Sequence, residues 1–353
     1  MTHTIGYAAH SADTPVSPFS FERRDLRADD VAMDILYCGV CHSDLHQARN
    51  DWGGANYPLV PGHEIIGRVT AVGTGVTTVK IGDVAAIGCL VDSCMECSDC
   101  LSGNEHYCIK GSTQTYNDKD RRDGSPTYGG YSDHIVTRDH FVIKLPAGLD
   151  PERAAPLLCA GITTWSPLRR WKVGPGTRVA VAGLGGLGHM GVKLAVALGA
   201  DVTVLTSSRN KVDDALALGA HHVVLTSDPA AMKAATRSFD MVLDTIPVAH
   251  DVGPYLRLLT THGVHVIVGA IAMLPEIHTG MLLSGQKSLA GSGIGGIAET
   301  RELLEFCAEK NILPETETIP MQDIQHAFDR MERNDIKYRF VIDMATLTQE
   351  SVA

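Results

Sequence analysis

Residues 177–211 constrain this chain more than any other stretch. Arg178, Val179, Ala180, Val181 and Ala182 read as a short strand buried on both faces, followed at once by Gly183-Leu184-Gly185-Gly186-Leu187-Gly188. His189 to Leu198 reads as a helix, with Met190, Leu194 and Ala197 at helical spacing. Gly199-Ala200 stops it, and Val202-Thr203-Val204-Leu205 opens the next strand. This is one βαβ unit with G-x-G-x-x-G at its first turn. Gly183 permits the tight turn, Gly185 lets the backbone approach a pyrophosphate, and Gly188 lets helix and strand pack closely. Gly186 and Leu187 complete the cradle, and a pyrophosphate would sit on free N–H groups at the helix N-terminus. A glycine-rich turn alone is weak evidence. A strand before it and a helix after it supply the context a dinucleotide site needs.

The chain has 353 residues, enough for two domains with separate cores. Lys and Arg number 30 against 41 Asp and Glu, a net charge of −11. That balance argues against nucleic acid and anionic membranes as partners. Met1 to His10 lacks an apolar signal core, and no run of about 18 apolar residues occurs. The expectation is a cytoplasmic enzyme. Nine cysteines are present, four in a tight cluster, which in such a chain points to metal before disulfides.

Up to about Asp150 the pattern is one of short strands and frequent turns, as in an all-β barrel. Pro151 to Leu168 reads as helical. From Gly174 to about Gly293 strands and helices alternate, with strands at His222–Leu225, Met241–Asp244 and Val264–Gly269. That alternation implies a parallel sheet covered on both faces. Helices at Glu299–Glu309 and Ile324–Glu332 and a strand at Tyr338–Asp343 are too little for a third domain. The reading is therefore α/β, a Rossmann doubly wound parallel sheet plus a β-barrel domain. Residues 1–156 form the barrel, 157–296 the dinucleotide-binding domain, and 297–353 return to the first.

Two constellations carry metal-ligand chemistry. Cys94, Cys97, Cys100 and Cys108 fall within fifteen residues and can close a tetrahedral zinc shell with no open position, a structural site. Iron–sulfur clusters also use four cysteines, but with other spacings. The second set is dispersed: Cys41, His63-Glu64 and Cys159. Taken singly, the cysteines could be buried small side chains and His63 a core histidine. Taken together, two cysteines and a histidine leave the fourth zinc position open, which is the catalytic arrangement.

These segments carry a resemblance. Gly62-His63-Glu64-Ile65-Ile66-Gly67, Cys41-His42-Ser43-Asp44-Leu45-His46, Asn50-Asp51-Trp52-Gly53, Leu158-Cys159-Ala160-Gly161-Ile162-Thr163, the four-cysteine loop, the glycine-rich turn and Tyr338-Arg339-Phe340-Val341 occur in order along most of the chain. The chain resembles zinc-dependent medium-chain alcohol dehydrogenases, in the branch of cinnamyl alcohol dehydrogenases and bacterial NADP-dependent aldehyde reductases. The resemblance implies a GroES-like catalytic domain and two zinc ions per chain. It implies a catalytic zinc on Cys41, His63 and Cys159, with Glu64 as a nearby carboxylate and Asp44 orienting the ligand histidine. Ser43 and His46 match a proton relay, Thr163 a nicotinamide contact, and Ser292 and Ile294 backbone positions beside the nicotinamide ribose. The activity implied is reversible hydride transfer between NADPH and aldehydes giving primary alcohols, with broad specificity, by a homodimer. Plant members acting on aromatic alcohols carry a tryptophan after the four-cysteine loop. This chain has Thr113-Gln114-Thr115-Tyr116-Asn117-Asp118 there. Trp52 and Leu90, with Cys89 and Tyr116, are candidate pocket walls, and plain packing is the alternative for each.

The cofactor reading rests on the end of the second strand. NAD-selective units place a carboxylate there for the ribose 2′-OH. Here stands Thr206-Ser207-Ser208-Arg209-Asn210-Lys211, with no carboxylate before Asp213. Hydroxyls and two cations suit a 2′-phosphate, hence NADP(H). Ser207 and Ser208 could instead simply cap the helix that follows. Three rival classes are a zinc-free quinone or enone reductase, a polyol dehydrogenase and a non-enzymatic metal protein. The intact Cys41, His63 and Cys159 set speaks against the first, and Cys159 itself against the second.

Overall fold

The computed structural model describes residues 1–269 and 271–348. The chain divides into two units: Met1–Cys159 with Gly295–Ala353, of which 349–353 lie outside the described residues, and Ala160–Ile294.

The second unit is built on six parallel strands. Their spatial order is His222–Leu225, Asp201–Thr206, Arg178–Ala182, Phe239–Asp244, Leu259–Ile267 and Ser288–Gly291. Numbered along the chain this is 3-2-1-4-5-6, the doubly wound order, with its reversal beside Arg178–Ala182. Val179 to Ala182 and Met241 to Asp244 are fully buried, as strands covered on both faces must be. The helix Gly188–Ala197 follows the glycine turn, and no side chain caps its N-terminus.

The first unit holds a seven-stranded, mostly antiparallel sheet. Its spine is Asp30–Val40, which pairs with Ile65–Val72, with His134–Arg138 and with Arg339–Asp343. The C-terminal strand Arg339–Asp343 lies inside the sheet, between Thr316–Pro320 and Asp30–Val40. Met33, Ile65, Ile87, Tyr131, Phe328 and Phe340 fill the core of this unit.

The helical reading of Pro151 to Leu168 needs correction. A short helix Pro151–Ala154 passes into a 3-10 turn Ala155–Leu158, and Cys159 breaks it at φ −129° before the helix Ala160–Arg170. Pro156 has no N–H to extend an α-helix through this stretch. After the strand Asp201–Thr206, a 3-10 turn Arg209–Lys211 leads into a short helix Val212–Ala217. The helix Gly253–Leu258 passes directly into the strand Leu259–Ile267. The last strand starts at Arg339, one residue later than the pattern suggests.

Candidate functional site

The site in the first unit grows from two turns. The strand Asp30–Val40 delivers Cys41 to the N-terminus of the helix His42–Ala48. Asp44, fully buried one turn into that helix, accepts the Cys41 N–H through Oδ2 at 2.9 Å. The same carboxylate accepts the Gly62 N–H at 3.0 Å and faces His63 Nδ1 at 3.1 Å, both through Oδ1. The Tyr131 hydroxyl donates to Oδ2 at 3.3 Å. A carboxylate on Nδ1 fixes that nitrogen as the donor and leaves Nε2 for a metal. Gly62 makes the turn before His63 at φ +102°, and a Cβ there would sit 2.8 Å from the Gly130 nitrogen.

Cys41 Sγ and Cys159 Sγ lie 3.9 Å apart, and donor atoms of Cys41, His63, Glu64 and Cys159 all fall within 4.8 Å of one another. With zinc–sulfur bonds of about 2.3 Å, the edge of a tetrahedron is roughly 3.8 Å, so the donor set fits the ion. Cys41 is the first of the two thiols to ionise. The Cys159 sulfur favours its thiolate, burial opposes it, and Arg339 and His63 assist. The Ser43 hydroxyl, half-buried on the first turn of the helix, lies 3.6 Å from Cys41 Sγ. His46 Nδ1 faces Asp51 at 2.8 Å, and its ring lies 5.1 Å from that of Trp52.

Glu64 is fully buried and ion-paired to Arg339 through Oε1, while its Oε2 has no hydrogen-bond partner. Burial pushes its carboxyl up to about 8 although Arg339 works against the rise. Gly39 leaves room for it, since a Cβ there would come within 1.9 Å of Oε2. Arg339 is itself 4% exposed, so a charge from the C-terminal strand stands beside the ligand set. The sequence reading assigned Arg339 no role. Its buried charge in the last strand was the available signal. Cys89 is a further, half-buried thiol here. The Cys159 sulfur holds it below the usual thiol value, although burial opposes this. Leu90 is buried on the strand Leu90–Asp92, whereas Trp52 is 39% exposed in its loop. The Tyr116 ring is buried, 5.8 Å from that of His63.

The four-cysteine loop converges as its spacing suggests. Cys100 Sγ lies 3.8 Å from Cys94 Sγ and 3.5 Å from Cys97 Sγ, and all four donors fall within 4.8 Å. The Cys94 N–H donates to Cys108 Sγ and the Cys97 N–H to Cys94 Sγ, each at 3.4 Å. N–H groups of Cys100 and Ile109 lower Cys97 to about 6, while burial raises Cys100 to about 12. Buried Glu105 anchors the loop, receiving the Ile297 N–H at 3.1 Å and facing His140 Nε2 at 2.7 Å.

In the second unit the glycine turn has the shape a diphosphate needs. Gly183 has φ +89°, and a Cβ at Gly188 would strike the Gly183 carbonyl oxygen at 2.2 Å. A Cβ at exposed Gly185 would meet nothing within 4 Å, so that face of the turn is open to a ligand. Thr206 ends its strand, and Ser207 to Lys211 follow it directly. Ser208 stands at the N-cap position but makes no side-chain cap bond, so capping does not explain it. The Lys211 ammonium donates to the Leu184 carbonyl at 2.9 Å, which brings it onto the glycine turn. Thr163 is buried on the helix Ala160–Arg170. The Ser292 N–H donates to the Ile267 carbonyl at 3.1 Å, and Ile294 adopts φ 38°. Among the described residues, no helix is long and apolar enough to cross a membrane.

Comparison with known proteins agrees with both sites. The alcohol dehydrogenase GroES-like domain family matches residues 27–147, and the zinc-binding dehydrogenase family matches residues 186–309. NADP-dependent alcohol dehydrogenase C 1 of Mycolicibacterium smegmatis is 50% identical over 348 residues, 98% of this chain and 99% of that one. The cinnamyl alcohol dehydrogenase structure from Sorghum bicolor has a TM-score of 0.94 at 43% identity, covering 98% of both chains. The structure of CAD from Helicobacter pylori complexed with NADP(H) has a TM-score of 0.91 at 41% identity, covering 98% of this chain and 99% of that one. With two converging metal-donor sets and an uncapped dinucleotide turn on one chain, these likenesses carry a single conclusion: the chain belongs to the zinc-dependent medium-chain alcohol dehydrogenases, and is cinnamyl alcohol dehydrogenase-like within them.

Proposed function

We propose that this chain is an NADP(H)-dependent alcohol dehydrogenase and aldehyde reductase that interconverts aldehydes and primary alcohols with broad specificity. The observation that carries this reading is an open Cys41, His63 and Cys159 donor set on a chain whose nucleotide turn lacks an acidic neighbour. Bound zinc would supply a Lewis acid that polarises the substrate oxygen. NADP(H) would give or take the hydride. Cys41, His63 and Cys159 would hold the catalytic ion, and Cys94, Cys97, Cys100 and Cys108 the structural one. Asp44 keeps His63 in the tautomer that presents Nε2.

The alcohol proton leaves through the Ser43 hydroxyl toward His46. Asp51 gives the His46 Nδ1–H an acceptor, which leaves Nε2 to take the arriving proton. Thr163, Ser292 and Ile294 would serve the nicotinamide end of bound NADP(H). Gly183, Gly185, Gly186, Leu187 and Gly188 would cradle its pyrophosphate, and Thr206, Ser207, Ser208, Arg209 and Lys211 would hold its 2′-phosphate. Burial holds the Lys211 ammonium below its ordinary value. Trp52 and Leu90 would bound the substrate. The strand Ser288–Gly291 is an edge of its sheet, and an unpaired edge favours a homodimer. A light-scattering mass of a single 37.8 kDa chain would refute the dimer.

The test is an initial-rate screen of aldehydes and alcohols with NADPH and NADH in parallel. Two charge-assisted hydrogen bonds of about 1.5–3 kcal/mol each favour NADPH by roughly a hundredfold or more. Equal efficiency with NADH would overturn the cofactor reading, and no turnover of any aldehyde would overturn the enzymatic one.

A further inference from the structure

A cavity of about 370 Å³ opens in the nucleotide-binding unit, at the opposite end of its strands from the glycine turn. Its cations come from the segments that lead into neighbouring strands. Arg237 precedes Phe239–Asp244, Arg257 lies in the last turn of the helix before Leu259–Ile267, and Lys287 directly precedes Ser288–Gly291. These strands are parallel, so the three cations gather at their amino ends. The glycine turn instead follows the carboxyl end of Arg178–Ala182, where doubly wound sheets take their dinucleotide. The cavity is therefore no part of the cofactor site.

No carboxylate lines this cavity, and among the described residues none pairs with Arg237, Arg257 or Lys287. Arg237 donates to the Thr261 hydroxyl at 3.0 Å, and Lys287 to the Leu256 carbonyl at 2.6 Å. The exposed Arg257 guanidinium has no hydrogen-bond partner among the described residues. Burial holds the Lys287 ammonium below its ordinary value, and the Arg237 charge adds to the effect. Elsewhere on the surface, cations sit against acids: Arg178 against Asp240, Arg330 against Glu317, Arg122 against Asp29. Acids are not scarce in a chain of net charge −11. Three cations left facing one another without a counter-charge are an arrangement that an anion relieves.

The donors suit a phosphate. A guanidinium presents paired N–H groups that match two phosphate oxygens, and an ammonium supplies a compact charge. Lys287 spends one N–H on Leu256 and keeps two. The Gly280 N–H donates to His278 Nδ1 at 3.2 Å, which places the ring proton on Nε2 as a further donor. Thr236 and Ser284 add hydroxyls to the wall. The Arg237 N–H donates to the Arg257 carbonyl at 3.1 Å, so Arg237 and Lys287 are both tied to the stretch 256–257 that carries Arg257. A volume of about 370 Å³ lies in the range of sites for small organic ligands.

We propose that the cavity walled by Arg237, Arg257 and Lys287 is a second anion site, which binds a phosphate group, free or carried on a small molecule, while the dinucleotide is bound. The nucleotide-binding unit then recognises phosphate at both ends of its sheet. A bound dianion offsets the repulsion among the three cations, so it stabilises the folded chain. Its affinity falls with added salt, because the cations are partly exposed.

The experiment titrates inorganic phosphate, and separately glycerol 3-phosphate, into the zinc-loaded full chain with NADPH saturating. Ionic strength is held constant with chloride, and both heat and melting temperature are followed. Saturable binding and a raised melting temperature are expected. Tighter binding of glycerol 3-phosphate assigns the site to a carried phosphate, and tighter binding of inorganic phosphate to the free ion. Arg257→Gln should weaken both ligands about tenfold or more, the worth of one charge-assisted contact. Because the Arg257 side chain is exposed and without a partner, that variant should melt with the parent in chloride alone. Lys287→Met should lose phosphate binding in the same way, whereas Lys211→Met should weaken NADPH and leave phosphate binding as it was. Absence of saturable binding of either ligand, or binding that Arg257→Gln and Lys287→Met leave intact, would overturn the proposal. So would phosphate binding seen only without NADPH, which would place the anion in the cofactor site. Absence of NADPH binding, with phosphate still bound and still weakened by Arg257→Gln, would overturn the cofactor reading and uphold this site.

Discussion

The four-cysteine loop and the Cys41, His63 and Cys159 site offer similar donors and are built in opposite ways. The loop gathers its thiols from fifteen consecutive residues, and Leu101 and Ile109 beside them are 75% and 70% exposed. The other site joins Cys41 to Cys159 across 118 positions and Glu64 to Arg339 across 275, and all these side chains are buried. A closed shell uses all its donors on the ion and needs little around it. An open site keeps a reactive position free, so the protein must hold charge inside by other means. Asp44 does this for His63, and Arg339 for Glu64.

The contrast is sharpest in the ligands themselves. Cys159→Ala should lose roughly a thousandfold or more in kcat, since Lewis-acid stabilisation contributes several kcal/mol and each 1.4 is tenfold. Its melting temperature should stay near that of the parent. Cys100→Ala should instead lower the melting temperature and yield, because binding energy in a closed site is folding energy. Zinc analysis should fall from two ions per chain to one in each variant. A Cys100→Ala protein as stable as the parent would break the comparison.

Arg339→Met comes next in size. Removing one partner of a buried pair costs about 3–5 kcal/mol, and adding Glu64→Gln should restore part of it. Chemical denaturation of the two variants checks this, and a double variant no more stable than Arg339→Met would show that the pair is not coupled. The smallest effect is expected at the loop's anchor. Glu105→Gln loses a charge-assisted contact of about 1.5–3 kcal/mol and should leave kcat unchanged. Burial alone would raise the Glu105 carboxyl, but His140 and the N–H groups it receives hold it below its ordinary value. Its contribution is therefore present at neutral pH and lost as acid protonates it. The Glu105→Gln variant should lose less stability between neutral pH and acid than the parent. Equal acid sensitivity in the two would sink this assignment.

Legibility in the sequence follows the same division. The cysteine loop and the glycine turn were readable because their chemistry is local and their spacing is fixed by the geometry they serve. The dispersed ligands became readable only as a set, through their resemblance to a family. Arg339 was not readable as a partner of Glu64, because only the pairing of Arg339–Asp343 with Asp30–Val40 brings the two together. The break at Cys159 escaped the helical pattern because periodicity does not register the hydrogen bond that Pro156 cannot make.

The position of the strand Arg339–Asp343 bears on how the protein is made. Phe340 pairs with Val40, so the spine strand leaves the ribosome with a bare edge and waits for a neighbour 300 residues behind it. At about 5–20 residues per second, that wait is roughly 15–60 s. Residues 160–294 are complete before it ends and can fold as a body meanwhile. The metal-donor unit closes last, and throughout that interval Glu64 has no cation to face. Premature termination before codon 339 is therefore expected to yield nascent chains with a finished nucleotide unit and an unfinished, aggregation-prone sheet, the kind of product that chaperones and proteases remove.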